Sequence, residues 1–348
     1  PYLSSKGRIV PKSGISSSGG YFLYGKASYG YGNRQKGCCK RKRKRNFLRA
    51  QKLHHRDDLK QIVVQEDDKL YLIENFGERE KIASDVGWVV SNNEKDKALY
   101  YVKMDEKKIN AMDIVEDDTN GDEDMEWFLE ELEEHSIEVA ENSLYCYKDG
   151  KEVEIAKKLS SDIYAQDNSD TVLFTRFKME ELPKVRASKL DEIYDVDQKY
   201  YEALQESAET CIYNGKEIVT LDTELKERMG EQRFLVDDEK NIGYTMKVER
   251  NKDGEIKESQ LLSFKTGKKA DGKCSVVAED VDVMMGAKDG DIYYLTDMDE
   301  GMGDLYCNEE LIDSDVMIGT LEFTKEQKYP IYKNRLQYFQ ESVYIKDV

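Results

Sequence analysis

Three histidines, His54, His55 and His135, are all this chain offers for imidazole acid–base work near neutral pH. None of them sits in a His-Glu-x-x-His metal-hydrolase pattern, and no Gly-x-Ser-x-Gly turn presents a serine nucleophile. Gly30-Tyr31-Gly32 starts like a dinucleotide fingerprint, but Gln35 stands where the third glycine belongs, and no strand–helix pattern surrounds it. Two acidic loops gather oxygen ligands of the kind calcium takes. In the first, Asp117-Asp118-Thr119-Asn120-Gly121-Asp122-Glu123-Asp124, a calcium loop started at Asp118 would put Glu123 at position 6 and Leu129 at position 12, where glycine and a carboxylate are required. The second, with Asp297, Asp299 and Asp304 around Gly301 and Gly303, also lacks the full spacing. Both read as solvated loops. No catalytic, cofactor-binding or metal-ligating residue is assigned, no cofactor is expected, and the chain is expected not to be an enzyme.

The elements around these residues repeat. Lys81-Ile82-Ala83-Ser84-Asp85-Val86 is echoed by Glu154-Ile155-Ala156-Lys157-Lys158-Leu159 and by Val276-Val277-Ala278-Glu279-Asp280-Val281. A strand-like stretch precedes each copy: Leu70-Tyr71-Leu72-Ile73, Leu144-Tyr145-Cys146-Tyr147 and Leu261-Leu262-Ser263-Phe264. Another strand, a polar turn and a Tyr-rich or apolar strand follow, as in Ala98-Leu99-Tyr100-Tyr101-Val102, Val172-Leu173-Phe174-Thr175 and Ile292-Tyr293-Tyr294-Leu295. Four strands in a period of roughly 40–50 residues is the signature of a β-propeller blade. About five units are counted, beginning near Leu70, Leu144, Cys211, Leu261 and Leu305. Val343-Tyr344-Ile345 reads as one more strand, which closes a ring on the first unit or belongs to a truncated next one. Asp149-Gly150, Asn214-Gly215, Asp253-Gly254, Asp271-Gly272 and Asp289-Gly290 are hairpin turn signals.

Two segments break the β pattern. Trp127, Phe128, Leu129 and Leu132, with Met125, have helical spacing inside Glu123–Glu134, and 196–208 forms a second candidate helix with Tyr200, Tyr201 and Leu204 on one side. The first is expected to dock its apolar face on a sheet edge or on a loop, with an amphipathic partner-binding helix as the alternative. Tyr71, Tyr100, Tyr101, Tyr145, Tyr293, Tyr294 and Tyr306 recur at similar repeat positions; they read as inter-sheet packing, against a sugar-stacking platform. Trp88 reads as core. Cys146, Cys211, Cys274 and Cys307 read as small buried hydrophobes, and with Cys38 and Cys39 they form no zinc-site spacing.

Charge divides the chain. Residues 1–60 hold 16 Lys/Arg against 2 Asp/Glu, including an unbroken Lys-Arg run at 40–45, whereas the rest carries a net charge of −33. The expected organisation is a disordered, low-complexity basic tail over 1–60 and an all-β, propeller-like domain of short antiparallel blades with two short helical insertions over 61–348, open to truncation at either end. Such a tail suits anionic membrane contact, RNA stacking or a nuclear-type address, against a plainly solvated segment. The acidic domain repels nucleic acid and anionic membrane surfaces and favours cationic peptides, metal ions or basic protein faces. No stretch has the roughly 18 apolar residues of a membrane span. The opening residue, Pro1, reads as that of a fragment or processed product.

Leu144-Tyr145-Cys146-Tyr147-Lys148-Asp149-Gly150-Lys151-Glu152 followed by Glu154-Ile155-Ala156, and Ala287-Lys288-Asp289-Gly290-Asp291-Ile292-Tyr293-Tyr294-Leu295, resemble irregular TolB-like or YWTD-like bacterial β-propellers. The resemblance is to an uncharacterised group of Gram-positive cell-envelope proteins and covers roughly 61–348. In that group the propeller follows a zinc ribbon and one membrane helix, which implies an extracytoplasmic, membrane-associated location; this chain has neither Cys-x-x-Cys ribbon nor span. The resemblance transfers no catalytic residues. The expected function is a non-enzymatic binding or sensor module at a bacterial cell envelope, with a protein, peptide or glycan ligand. The alternative is a structural or assembly protein that docks basic partners on its acidic surface.

Overall fold

The computed structural model describes residues 2–3, 9–10, 52–55, 61–75, 77–93, 96–118, 123–190, 192–223, 234–323, 331–334 and 344–345. Most of the basic tail, with its 40–45 run, lies outside the described residues, as does the glycine-rich 30–35 stretch. The described chain is mostly β, in antiparallel sheets, with two α-helices. It divides into two compact units, Pro1–Ser84 and Asp85–Val348.

In the first unit, Lys52–His55, Gln61–Glu66, Lys69–Glu74 and Arg79–Ala83 form one four-stranded meander in chain order. Arg79 bonds Glu66 at 2.7 Å and lies 3.8 Å over the Tyr71 ring, which fastens its outer strand.

In the second unit, three sheets follow one another. The largest has seven strands in chain order: Val86–Asn93, Ala98–Asn110, Ser136–Lys148, Lys151–Ala165, Thr171–Phe177, Ala208–Asn214 and Ile218–Thr220. The next comprises Phe234–Asp237, Ile242–Arg250, Ile256–Lys265 and Cys274–Glu279, and the last Val283–Lys288, Asp291–Asp299, Met302–Cys307 and Glu310–Met317. The seven-stranded sheet departs from the expected run of short four-stranded blades. Its cause is the 15-residue strand Lys151–Ala165. The register of that strand breaks between Leu159 and Ile163; its first part pairs with Ser136–Lys148 and its last residues with Thr171–Phe177. Two meanders therefore share one strand.

The sequence echo has a common atomic basis. Leu70, Leu144, Leu261 and Leu305 face Ala83, Ala156, Ala278 and Asp313, but the next residues, Tyr71, Tyr145, Leu262 and Tyr306, face Lys81, Glu154, Val276 and Leu311. Each pairing thus skips one residue (Ile82, Ile155, Val277 or Ile312), which makes a β-bulge at the same place in four sheets or half-sheets. All four leucines are 0% exposed. Two residues beyond the Ala position the backbone turns left-handed, at Asp85 (φ 60°), Lys158 (53°), Asp280 (54°) and Asp315 (55°). The next side chain, Val86, Leu159, Val281 or Val316, then drops into the core. The 311–316 copy escaped the sequence comparison because Asp313 replaces the alanine. Aspartate tolerates the left-handed region, whereas lysine there costs roughly 1 kcal/mol. Lys158→Asn is therefore expected to raise stability by roughly 0.5–1 kcal/mol, read as a higher urea midpoint at unchanged slope.

The sheets are offset from the sequence units by two strands. The strand before each echo and the echo itself end one meander, and the two strands after it begin the next. Asp149-Gly150 and Asp289-Gly290, with positive φ at both residues, close two-residue hairpins as expected; at the other three signals only the glycine is left-handed. Tyr344–Ile345 pairs with Ile331–Tyr332.

Successive meanders of the second unit, two within the seven-stranded sheet and then those of the following sheets, are laced through the turns after their first strands. Asn93 donates to Asp170 Oδ1 at 2.7 Å, and Tyr100 donates to the same oxygen at 3.0 Å. Ser169 donates to Asp238 at 2.9 Å, and the Val236 amide to Gln166 Oε1 at 3.0 Å. The Gly290 amide donates to Asp237 at 2.5 Å.

The helices α1 (Glu123–Glu134) and α2 (Ile193–Glu206) lie in the two long connections between second and third strands. Helix α2 starts three residues before the sequence-based boundary because Glu192 and Asp195 form a reciprocal capping box, and it ends early because Ala208 begins a strand. Phe128 and Leu132 of α1 and Val196 and Tyr200 of α2 share one buried cluster with Ile109, Ile114 and Val139. The apolar face of α1 thus docks on the 111–115 connection, as one form of the expectation had it, but also on interior strands rather than a sheet edge, and Trp127 is 60% exposed. A short parallel pairing of Val115–Glu116 with Val185–Arg186, and Asp118 bonded to the Ser188 amide (2.9 Å) and hydroxyl (2.7 Å), tie the insertions together.

Candidate binding groove

The third meander departs from the repeat. Cys211 faces Thr220 and Ile212 faces Val219 without a bulge, and the outer strand Ile218–Thr220 is only three residues long. The outer strands of the other meanders run further, as in Cys274–Glu279 and Glu310–Met317. Beside this short strand lies a groove of about 740 Å³, bordered by Ala208–Thr210, 220–223 and 247–250. That volume lies within the range of small-ligand sites.

The floor is made by Leu221, Val248 and Thr210, all buried. Leu221 is fixed there because its amide donates to Thr210 O at 2.8 Å. Glu209 forms one wall with its side chain only 11% exposed, held between Arg176 (Nε, 2.8 Å) and Lys178. Burial alone would raise the Glu209 pKa, but Lys178 and Arg176 outweigh it and hold the carboxyl below the usual glutamate range. Asp222 Oδ1 accepts the Cys274 amide at 2.7 Å. On the far wall Lys247 lies 3.3 Å from Glu249, and Arg250 donates to Gly254 O at 2.7 Å.

A depressed folded-state pKa means that Glu209 contributes stability above the usual glutamate range and loses it as pH falls through that range and below. Glu209→Gln is expected to cost about 1 kcal/mol at neutral pH, since both cations are partly exposed, and to flatten the acid limb of the stability curve. Urea midpoints collected across acidic pH check both effects.

The thiols lack the features of nucleophiles. Burial and the adjacent Asp222 push Cys274 up to about 12, and burial raises Cys146, Cys211 and Cys307. His135 is away from the groove, paired with Asp197 at 2.8 Å where α1 ends against α2. Among the described residues, no three His, Cys, Asp or Glu side chains converge as a metal-ligand cluster, and no helix is long and apolar enough to cross a membrane. In the first acidic loop Asp118 is engaged by Ser188, and 119–122 lie outside the described residues. In the second, Asp297 and Asp299 end one strand and Asp304 lies in the next.

The repeated tyrosines pack. Tyr100, Tyr101, Tyr293 and Tyr294 are buried, and Tyr71, Tyr145 and Tyr306 are half-buried. Tyr101 stacks on Tyr145 at 6.0 Å and Tyr294 on Tyr306 at 5.6 Å, the same cross-strand pair in two sheets. Trp88 packs on the core of the seven-stranded sheet. Sequence reasoning missed the groove, and the sequence signal was shared: the third and fifth units both lack the Ile-Ala echo after their Leu-Tyr-like strand, and only the third also lacks the bulge.

No family model matches the sequence, and no curated protein does. Solved structures show distant matches, including β-propeller proteins. A eukaryotic initiation factor structure matches at 8% identity and a TM-score of 0.42, over 84% of this chain and 60% of that one. The β-propeller domain of the Trilobed protease from Pyrococcus furiosus matches at 12% identity and a TM-score of 0.36, over 80% of this chain and 73% of that one. Dipeptidyl peptidase 4 of Porphyromonas gingivalis matches at 10% identity and a TM-score of 0.30, over 80% of this chain and 35% of that one.

Proposed function

We propose that this chain is a non-enzymatic binding or sensor module of propeller-like architecture at a bacterial cell envelope. The groove between the short strand Ile218–Thr220 and the end of Ile242–Arg250 carries the reading: a concave site with an apolar floor and a charged rim. Support for propeller-like architecture comes from the four-stranded meanders, their common bulge and the turns that lace successive sheets of the second unit. A binding role is favoured over catalysis by the raised thiol pKa values and by the pairing of His135 with Asp197, outside the groove's lining. The envelope location rests on the resemblance of the Leu144 and Ala287 segments, and membrane contact through the basic tail rests on its charge.

A second reading, an assembly protein for basic partners, draws on the helical insertions. Residues 111–135 carry twelve Asp/Glu and no Lys/Arg, and 178–207 carry eight against five. Trp127 and Tyr194 stand 60% and 68% exposed on those insertions, and an exposed aromatic ring beside carboxylates suits a Lys or Arg side chain. Affinity capture with the full chain from source-cell envelope and soluble fractions separates the two. Recovery of an envelope protein or glycan that persists in moderate salt supports the module; recovery only of basic soluble proteins, lost in salt, supports assembly.

A further inference from the structure

We infer that copies of this chain associate head to tail, the acidic helix α1 of one copy seating on the lysine-bearing 265–273 turn of the next. Neither face lines the groove, so the contact stands apart from the binding-module reading; it supplies a basic partner for the acidic insertions of the second reading. On α1, Trp127, Glu130, Glu131 and Glu134 follow one another at i, i+3, i+4 and i+7 and so share one face. That face is turned to solvent while Phe128 and Leu132 pack beneath it: Trp127 is exposed, and the three carboxylates are exposed and unpaired among the described residues. No Lys or Arg within 111–135 offsets them. The turn between Ile256–Lys265 and Cys274–Glu279 is the counterpart, with Lys265, Lys268, Lys269 and Lys273 against Asp271. Lys265 lies 3.5 Å from Asp271, which leaves Lys268, Lys269 and Lys273 exposed and without a carboxylate partner among the described residues. The positive excess is local: the adjoining turns 214–217 and 237–241 hold Lys216 and Lys240 against Glu217, Asp237, Asp238 and Glu239. A carboxylate-bearing helix approaching this end of the strands is therefore attracted by 265–273 and repelled beside it, which fixes where it docks.

The two faces are out of each other's reach within one copy. Bonds from Asn93 to Asp170, from Ser169 to Asp238 and from the Thr266 amide to Asn241 O put the 265–273 turn at the same end of the strands as residue 93. Ala98–Asn110 starts from that end and runs 13 residues, about 40 Å, to the connection that carries α1. Opposite charges at opposite ends of one body complement each other between copies. Such a contact is heterologous: each added copy brings a free helix and a free turn, so copies grow into open chains or close into a ring. A lysine ammonium over the exposed Trp127 ring adds a cation–π contact to the charge pairs.

The test is sedimentation velocity of the full chain. In ~50 mM salt the average sedimentation coefficient is expected to rise with protein concentration, and in ~0.5 M salt that rise is lost. Two surface variants separate the faces: Lys268→Gln, Lys269→Gln, Lys273→Gln on the turn, and Glu130→Gln, Glu131→Gln, Glu134→Gln on α1. Each alone is expected to associate at least tenfold more weakly than the unaltered chain, with its melting temperature unchanged. Mixed in equal amounts, they are expected to form a species of two chains and nothing larger, because one variant keeps its helix and the other its turn. A monomer throughout, up to ~100 μM in low salt, association that survives either variant, or a mixture that associates no better than its parts would overturn the inference. In any of those cases, recovery of basic soluble proteins by affinity capture would leave the assembly reading standing and remove only the second copy.

Discussion

Leu144→Ala, Leu261→Ala and Leu305→Ala are each expected to cost about 3 kcal/mol of stability. Each leucine is fully buried and sits at the first pairing of the repeated bulge, where two residues of the outer strand face one of its partner. Truncation removes the transfer free energy of the side chain and leaves a cavity that a bulged, tightly registered pair of strands cannot close. The bulged residue itself is a control. Ile155 is only half-buried, and Ile155→Ala should cost about 1 kcal/mol. Urea unfolding followed by tyrosine fluorescence and by circular dichroism reads both. Similar losses at all three leucines would show that the bulge is one structural device used repeatedly; a loss below about 1 kcal/mol at any of them would show that the shared register carries no shared energetics.

Asp170→Ala is the second large effect, at about 2–4 kcal/mol. One oxygen of Asp170 accepts from two buried donors, the side-chain Nδ2 of Asn93 and the hydroxyl of Tyr100, on neighbouring strands of the seven-stranded sheet. Removing it leaves both donors without that acceptor, and each lost buried bond carries a desolvation penalty of about 1–3 kcal/mol. Asp170→Asn keeps an oxygen in the same place and should cost about 1 kcal/mol. The contrast between the two variants separates loss of an acceptor from loss of a charge. Because the lacing continues from Ser169 to Asp238 and from Asp237 to the Gly290 amide, the alanine variant should also speed hydrogen exchange at the turns around 238–241 and 289–290.

Much of the β architecture was legible because it rests on short-range signals. Alternating apolar residues, Asp-Gly turns and the Ile-Ala echo each report a local backbone requirement, and the echo marks a bulge followed by a left-handed residue. Its phase was not legible. A repeat can be cut anywhere in sequence, and only hydrogen bonding shows that Leu261 and Val276 end one sheet whereas Val283 begins the next. The fusion of two meanders also escaped, since nothing in Lys151–Ala165 announces that its two ends pair with different neighbours. The helices are legible from their apolar spacing, but Trp127, expected on the docking face, faces solvent, and Phe128, Leu129 and Leu132 supply the packed face.

The groove is a different case. Its walls come from three segments, around Glu209, Asp222 and Arg250, that share no periodicity and meet through lateral packing of neighbouring sheets. What shaped it in sequence is a missing feature. Where three other units place an Ile-Ala or Val-Ala echo and the fifth keeps the bulge with Ile312-Asp313, the third has Ile218-Val219-Thr220-Leu221 without a bulge, and the strand stops early. In a repeat protein, the unit that breaks the pattern is the place to look for a site.

The most direct test of the binding-module account is hydrogen–deuterium exchange on the full chain with and without source-cell envelope extract. The account predicts slower exchange at 208–210, 220–223 and 247–250, with the extract's component recovered chemically unchanged. Protection confined to 111–135 and 178–207 would contradict the groove and favour docking on the acidic insertions. Conversion of the bound component would contradict the non-enzymatic reading altogether.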